Sequence, residues 1–423
     1  MIGMFLGDLI LLFASLTLVK LKKSIVGNSL TISDCLIIPY ICVLSVQLIT
    51  CYVLHLTPAS FDYWIYYFVF FVVVVVFDVI GKMVTKDAKL INCNPNTDFI
   101  KSYDKVIGLT CIISSLYSLI HMATILSRVS NIYLIVQEQV QSKYASGLNF
   151  YVRLILMIGT VYYWGIKEKT KRNIAFGVIC FIPNALTFVK SIILLSCMGV
   201  LICKIKKRLR ITLKTGVLVA CIGIVVFFGV NMIEMGVYDS KVLERKETYQ
   251  YILSKMSFYF VSGVQSFSQN ILNDPNEFRK VDNVTIAPFT NFIAKLGLSE
   301  SIRPVTTISQ RLWYSEIMGR NVSSNVNGYV GTLYLYNGFF LGNIINAFWV
   351  VLSSILERKY EHNDNFLSAL SALFSAAFTL GWFDYYFSQT FWFYLLFLGV
   401  AINYMASIIK CSNGGKNGYT QKN

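Results

Sequence analysis

The residues best suited to chemistry in this sequence are cations beside apolar segments. Arg153 and Lys190 each lie at or inside such a segment, where an unpaired charge is costly. The planar guanidinium of arginine can bind pyrophosphate through two parallel hydrogen bonds, which an isolated ammonium group cannot reproduce. Each of these two cations therefore either holds an anionic ligand or extends to the lipid headgroups.

A second group of cations lies in a long polar stretch late in the chain. Each of these arginines alone is typical of a solvated surface charge, but four within about forty residues, beside aromatic rings, favour an anionic or carbohydrate ligand. The aromatic rings either stack on sugars or pack the core of the loop. The set comprises Arg279, Arg303, Arg311 and Arg320 with Trp313, Tyr314, Tyr329, Tyr334 and Tyr336, and Arg128 joins it from an earlier loop.

Motifs of soluble enzymes are missing from the sequence. It has no phosphate-binding loop and no HExxH, its three histidines are scattered, and its ten cysteines lack zinc-site spacing. We therefore expect neither a metal nor a cofactor. The candidate general bases are five acidic residues that the sequence does not rank: Asp274, Glu277, Asp282, Glu316 and Asp384.

Composition identifies the elements that must position these residues. The chain is 55% hydrophobic and 14% charged, with a mean hydropathy of +0.59, which is too apolar for one soluble core. The fold class that we predict is an all-α integral membrane protein, because the apolar runs lack the alternation of barrel strands.

About eleven apolar runs are long enough to be membrane-spanning helices. They are, roughly, Ile2 to Leu18, Cys35 to Leu54, Trp64 to Ile80, Val106 to Leu126, Phe150 to Gly165, Ile174 to Val189, Ser191 to Cys203, Gly216 to Met235, Thr332 to Leu356, Leu367 to Leu380 and Phe391 to Ile409.

The stretch from Ile174 to Cys203 decides the topology. As one helix it would be about 45 Å long, too long for one crossing. Basic residues flank it on both sides, and short basic loops share the cytoplasmic face. The stretch must therefore enter the membrane and return, with Pro183 and Asn184 loosening the first arm and Lys190 at the turn.

The same bias places the N-terminus outside and the C-terminus in the cytoplasm. Residues 1–423 then form one polytopic membrane domain, residues 236–330 a large extracytoplasmic loop, and residues 411–423 a disordered cytoplasmic tail. The net charge of +15 gathers in short loops, so the expected partner is the lipid bilayer with its anionic headgroups, and not nucleic acid.

This layout resembles the O-antigen or oligosaccharide repeat-unit polymerases of bacterial envelope polysaccharide synthesis. The similarity covers nearly the whole chain and rests on TFVKSIILL (Thr187 to Leu195), the late loop, and NVNGYVGTLYLYNGFFLGNIINAF (Asn325 to Phe348). Where family members often carry Arg-Ser or Arg-Thr, this chain has Lys190 and Ser191. Where an Asp-Phe-Gly-like element is common, it has Tyr336, Asn337 and Gly338, so Asn337 is not a candidate base.

The resemblance implies a GT-C-like architecture and a metal- and nucleotide-independent glycosyltransferase in the bacterial inner membrane. It would move a growing glycan from undecaprenyl pyrophosphate to a new undecaprenyl-linked repeat unit on the periplasmic face. The leaving pyrophosphate would be stabilised by Lys190, Arg153, Arg311 and Arg320. The residues that would bind the substrate are Arg128, Arg279, Arg303, Trp313, Tyr314 and Tyr336. The resemblance leaves open whether a chain-length regulator is a partner.

Two other functions are also compatible with the sequence. A lipid-linked oligosaccharide flippase or other transporter would commonly show internal repeats and short loops, whereas this sequence has no visible repeat and places its polar mass in one external loop. An O-antigen ligase would share the whole layout and differ only in its acceptor.

Overall fold

The computed structural model describes the protein over most of its helices. The residues described are 2–27, 29–53, 63–85, 97–128, 146–187, 189–207, 229, 232, 252, 261–268, 270–271, 276–279, 283–298, 310–315, 320–324, 326–360 and 365–414. The predicted span from Gly216 to Met235 therefore lies mostly outside them.

The described part of the chain is helical apart from one hairpin of two strands. In chain order the helices are α1 (Ile2–Val26), α2 (Ile32–Val53), α3 (Tyr63–Val84), α4 (Thr97–Leu126), α5 (Gly147–Val161), α6 (Lys171–Ala185), α7 (Lys190–Lys206), α8 (Asn276–Arg279), α9 (Ala287–Lys295), α10 (Gly328–Tyr360), α11 (Phe366–Thr379) and α12 (Phe391–Gly414), with strands β1 (Gln310–Ser315) and β2 (Arg320–Ser324).

The helical prediction is confirmed, with two additions. The antiparallel pair β1–β2 falls in the loop for which we predicted no strands. Helix α12 also continues to Gly414, so residues 411–414 of the predicted disordered tail are helical.

Four helices among the described residues are long and apolar enough to cross a membrane. They are Tyr63–Val84, Ser102–Leu126, Gly328–Arg358 and Phe391–Ile408. These and neighbouring helices have apolar outer surfaces, as lipid contact requires. The exposed side chains on them include Phe13, Ile65, Ile120 and Phe397. The protein is therefore an α-helical membrane protein.

Helix α10 folds back on itself at Gly338. This glycine has φ +70° and ψ −170°, a conformation essentially restricted to glycine. Tyr329 Oη lies 3.0 Å from Asn346 Oδ1, although a straight helix would separate the two residues by about 25 Å. Leu333 O likewise lies 2.8 Å from the position that a Cβ on Gly342 would take. The two arms are therefore antiparallel, so Gly328–Arg358 is long enough to cross a membrane by its length alone and does not run straight, and the predicted helix from Thr332 to Leu356 contains a turn.

The chain divides into two compact units. The first comprises Met1–Asp87, Glu244–Arg358 and Phe374–Trp392, and the second comprises Ala88–Leu243, Lys359–Leu373 and Phe393–Asn423. Helices α1, α2 and α3 pack together in the first unit, and α4, α5, α6 and α7 pack together in the second.

A buried polar network joins helix ends in the first unit. Lys22 and Asp34, each 1% exposed, form a close ion pair between α1 and α2. The Lys22 ammonium also donates to Thr31 Oγ1 at 2.9 Å, and Thr31 Oγ1 lies 2.9 Å from Ser33 Oγ. The network therefore links the end of α1 to the start of α2.

The network continues to α3 and α10 through Asp78. Its carboxylate accepts from Ser33 Oγ at 2.6 Å and from Ser354 Oγ at 2.7 Å. One turn further along the same two helices, Lys82 pairs with Glu357 at 3.5 Å. Since Asp78 is fully buried, these hydrogen bonds replace the water that its charge would otherwise require.

Candidate functional site

The second unit holds one buried cation with neutral partners. Arg153 on α5 is 3% exposed, and its guanidinium donates through Nη2 to Thr187 Oγ1 at 2.9 Å and through Nε to Asn184 Oδ1 at 3.3 Å. The ion pairs among the described residues do not include Arg153. Its charge is therefore hydrogen-bonded, and no carboxylate in the described part of the chain neutralises it.

The partners of Arg153 lie where α6 ends and α7 begins. Asn184 Nδ2 donates back to Arg153 O at 3.2 Å, and Thr187 Oγ1 donates to Asn184 O at 2.8 Å. Lys190 is the first residue of α7, three positions after Thr187, and its side chain lies outside what the structure describes. The structure thus brings Arg153 to the turn that carries Lys190.

Helix α7 begins at this turn without a side-chain cap. Val189, which precedes the helix, makes no capping hydrogen bond. The first turn of a helix carries unpaired N–H groups and the positive end of the helix dipole. The start of α7 therefore adds positive potential to the turn that Arg153 contacts.

The basic residues that flank the α6–α7 pair lie together at the end of the pair opposite to the Arg153 turn, as the sequence predicted. The Lys207 ammonium donates to Ile166 O at 2.8 Å, and a Cβ at Gly165 would lie 2.9 Å from Cys203 Cβ. The neighbouring Lys167 pairs with Asp104 at 2.8 Å. The chain therefore turns back between Ile174 and Cys203 as predicted, with cations of its flanks together, while the passage of this pair through the membrane stays a prediction.

The tip of the α10 hairpin in the first unit is a second polar cluster. Asn337 Oδ1 accepts from Asn283 Nδ2 at 2.8 Å, and Asn337 Nδ2 donates to Thr285 Oγ1 at 2.7 Å. Arg279 is exposed, and its Nη2 lies 3.3 Å from the position of a Cβ on Gly338. Of the predicted loop cations, Arg279 is thus located at this tip.

Four predicted site residues lie on the strand pair. Arg311, Trp313 and Tyr314 lie on β1 and Arg320 on β2, in a register that pairs Ser315 with Arg320 and Arg311 with Ser323. The register shifts between Arg311 and Trp313. The structure therefore describes the backbone that carries these residues, and their side chains lie outside it.

Of the remaining predicted residues, Tyr336 belongs to the same α10 tip, because Asn283 Nδ2 also donates to Tyr336 O at 3.1 Å. Arg128 is exposed just after α4. Tyr336 is 5% exposed and packs edge-on against Phe278 at a centroid distance of 5.3 Å. Arg303 lies outside the described residues.

One of the five candidate bases has a described side chain. Asp384, in the connection between α11 and α12, is partly buried, and its Oδ1 accepts from Tyr385 N at 2.7 Å. Burial raises the pKa of Asp384 to about 6, against the opposing effect of that hydrogen bond. Asp274, Asp282 and Glu316 lie outside the described residues, as does the side chain of Glu277.

Sequence reasoning missed the neutral partners of Arg153. Asn184 and Thr187 lie three positions apart at the end of an apolar run, beside Pro183. Polar residues in such a run have to find partners in neighbouring helices, so the spacing did contain a signal.

Comparison of the chain with protein-family models, curated proteins and solved structures finds no match.

Proposed function

We propose that the protein polymerises lipid-linked oligosaccharide repeat units. It transfers the growing glycan from undecaprenyl pyrophosphate to a new undecaprenyl-linked repeat unit on the periplasmic face of the bacterial inner membrane. In this proposal about eleven helices in a GT-C-like arrangement cross the membrane, with the N-terminus in the periplasm and the C-terminus in the cytoplasm.

The observation that carries the proposal is the buried charge of Arg153, which pairs with no carboxylate among the residues that the structure describes. A buried arginine whose partners are an amide and a hydroxyl retains a full positive charge, and this is costly inside a membrane protein unless an anion approaches. A lipid-linked pyrophosphate is such an anion, and it is confined to the membrane in which Arg153 lies.

The proposed glycan transfer depends on positively charged groups rather than on a cofactor. The bond from the sugar to pyrophosphate already stores the energy for transfer, so the protein has to stabilise the charge that develops on the leaving oxygen. The guanidinium of Arg153 offers a planar set of N–H donors, of which Asn184 and Thr187 use two. Lys190 and the N–H groups at the start of α7 supply further positive charge at the same turn.

The arrangement of charge supports the proposed orientation. Arg153 lies at the end of the α6–α7 pair opposite to Lys167 and Lys207. If the basic flanks face the cytoplasm, Arg153 faces the periplasmic half of the membrane, where repeat units are joined.

The test is replacement of Arg153 by Gln and by Lys in a strain that depends on this chain for polysaccharide. We expect Arg153→Gln to reduce polymerisation by about 10²–10³-fold, the effect of removing one transition-state donor. Arg153→Lys keeps the charge without the planar fork, so it should recover part of the activity.

Arg172→Gln is the matched control, because Arg172 lies over the Phe176 ring at 5.5 Å, on the first turn of α6 and away from the Arg153 turn. Polysaccharide ladders and membrane protein levels are measured together. A full-length ladder from Arg153→Gln at normal protein level would contradict the proposal.

A transporter is the second candidate, and the turn in α10 is the observation that favours it. Helices interrupted within the membrane are typical of secondary transporters, whose substrate sites they form. Loss of a flippase would leave repeat units facing the cytoplasm, whereas loss of a polymerase would leave surface glycans that bear a single unit.

An O-antigen ligase would use the same leaving-group chemistry with lipid A core as its acceptor. The deletion strain separates this reading from ours. Single-unit bands support the polymerase, and complete loss of glycan from lipid A core supports the ligase.

A further inference from the structure

The connection between α11 and α12, residues 380–390, is held in place by two other helices. Gly381 O accepts hydrogen bonds from Tyr40 Oη at 2.9 Å and from Tyr329 N at 2.6 Å. Because Tyr40 belongs to α2 and Tyr329 to α10, the first turn of this connection has a fixed position in the first unit.

The backbone of the next two residues, Trp382 and Phe383, packs against the backbone of Gly263. Trp382 O and Phe383 O lie 2.5 and 2.7 Å from the position that a Cβ on Gly263 would take. Any larger residue than glycine at position 263 would push the connection away. The direction of the peptide that precedes Asp384 is therefore also fixed.

Three consecutive side chains remain partly accessible on this connection. They are Trp382, Phe383 and Asp384, and the two aromatic rings lie 5.9 Å apart. Ligand sites combine aromatic or apolar surfaces with a few well-placed polar groups. An aromatic pair next to a carboxylate suits a sugar, whose apolar ring face stacks on the aromatic ring while its hydroxyl groups donate to the carboxylate.

The surroundings of Asp384 favour proton transfer. Among the described residues no ion pair includes Asp384, so no cation there holds it in its charged form. Burial, and then the charge of Asp384, raise the pKa of the adjacent Tyr386 well above its usual value. A carboxyl group whose pKa is about 6 is ionised at neutral pH and is a stronger base than an ordinary surface aspartate.

Among the described residues, the titratable groups around Asp384 are phenols. They are Tyr385 and Tyr386 in the connection, Tyr40 of α2 and Tyr329 of α10. Helix α9, which contacts the Tyr386–Ser388 turn, carries Lys295 as its one charged residue. Phenols stay neutral at the pH values at which a carboxyl group titrates.

The length of α11 bears on how much bulk water reaches Asp384. Helix α11 has 14 residues, a length of about 21 Å, whereas the hydrocarbon core is about 30 Å thick. If α11 starts at the cytoplasmic surface, the connection lies below the outer surface of the membrane and has little contact with bulk water.

We propose that Asp384 is the general base of the transfer and that Trp382 and Phe383 hold the acceptor sugar. This inference rests on the proposed polymerase function. Asp384 accepts the proton of the acceptor hydroxyl while the hydroxyl oxygen bonds to the anomeric carbon of the donor glycan. The bond from that carbon to pyrophosphate breaks, undecaprenyl pyrophosphate leaves with the electron pair, and Asp384 then releases the proton to water.

The experiment measures polymerisation by the full-length protein in vesicles that contain lipid-linked repeat units, from pH 5 to 8. We expect the wild-type rate to fall below about pH 6, because the base must be ionised. Asp384→Asn should lose about 10²–10⁴-fold in rate and lose this pH dependence. Asp384→Glu should retain part of the rate, and Trp382→Ala should raise KM for the acceptor more than it lowers kcat.

Gln389→Ala is the matched control, since Gln389 is exposed in the same connection; it should leave rate and pH profile unchanged. If the wild-type protein makes no polymer, the proposed function itself fails. If the wild type makes polymer and Asp384→Asn matches it in rate and pH profile, the assignment of the base alone is overturned.

Discussion

At the scale of single residues, the buried cations fall into two kinds. Lys22 and Lys82 each have a carboxylate partner, Asp34 and Glu357 respectively. Arg153 has an amide and a hydroxyl instead. A paired buried cation is neutralised within the protein, whereas a cation held by neutral groups can still attract an anionic ligand. This difference separates the residue that we assign to chemistry from the residues that join helices.

Gly338 allows a prediction about the backbone. Gly338→Ala should destabilise the protein by about 1–3 kcal/mol, because its φ of +70° with ψ of −170° is nearly closed to residues with a Cβ. Arg279 Nη2 would also lie 3.3 Å from the new methyl group. The measurement is the apparent Tm of the protein purified in detergent.

Phe340→Ala is the control for this prediction. Phe340 lies two residues further on and is 83% exposed, so its truncation should leave the apparent Tm nearly unchanged. An unchanged Tm for Gly338→Ala would show that the turn in α10 tolerates an ordinary residue.

At the scale of elements, each unit contains one hairpin of helices that positions polar groups. The α6–α7 pair brings Asn184 and Thr187 to Arg153, and the two arms of α10 place Tyr329 beside Asn346. In both cases short helical arms carry polar groups to a turn. Helices of membrane proteins tolerate such interruptions where neighbouring groups satisfy the freed backbone.

The network at Asp78 predicts how α2, α3 and α10 are held together. Asp78→Ala would leave the Ser33 amide and the hydroxyl groups of Ser33 and Ser354 without their acceptor. Each buried donor that is left unpaired costs about 1–3 kcal/mol. We therefore expect Asp78→Ala to lower the apparent Tm strongly and to reduce the amount of protein in the membrane.

Thr85→Ala tests whether this loss is specific to the network. The Thr85 hydroxyl donates to Gly81 O of its own helix at 3.0 Å, so its removal should have little effect on Tm. Equal stability of Asp78→Ala and Thr85→Ala would mean that the network does not hold these helices together.

At the scale of the whole molecule, the distribution of positive charge predicts an orientation. Alkaline phosphatase fused after Ser301 should be active, because we place residues 236–330 in the periplasm. A fluorescent protein fused after Asn423 should fluoresce, because we place the C-terminus in the cytoplasm. The two reporters have opposite requirements, so each is the control for the other.

An inactive phosphatase after Ser301 in a stable fusion would contradict the orientation. The loop arginines would then face the cytoplasm. The proposed transfer to lipid-linked repeat units on the periplasmic face would have to be abandoned, whereas the helix contacts described above would still hold.

Much of the element structure could be predicted from the sequence. Apolar runs and basic flanks predicted the helices and the return of the chain between Ile174 and Cys203, because helix length in a membrane and the placement of lysine and arginine are local properties. The same reasoning singled out Arg153, since a charge in an apolar run is conspicuous without any knowledge of its neighbours.

Other features depend on contacts between residues far apart in the sequence. The pairing of Asp78 with Ser354, the turn of α10 at Gly338, and the burial that raises the pKa of Asp384 are of this kind. An apolar run has the same composition whether it is straight or folded back, so composition did not reveal the turn. Likewise five carboxyl groups had equal standing in the sequence, because burial and hydrogen bonding, which set the basicity of a carboxyl group, exist only once the helices have packed.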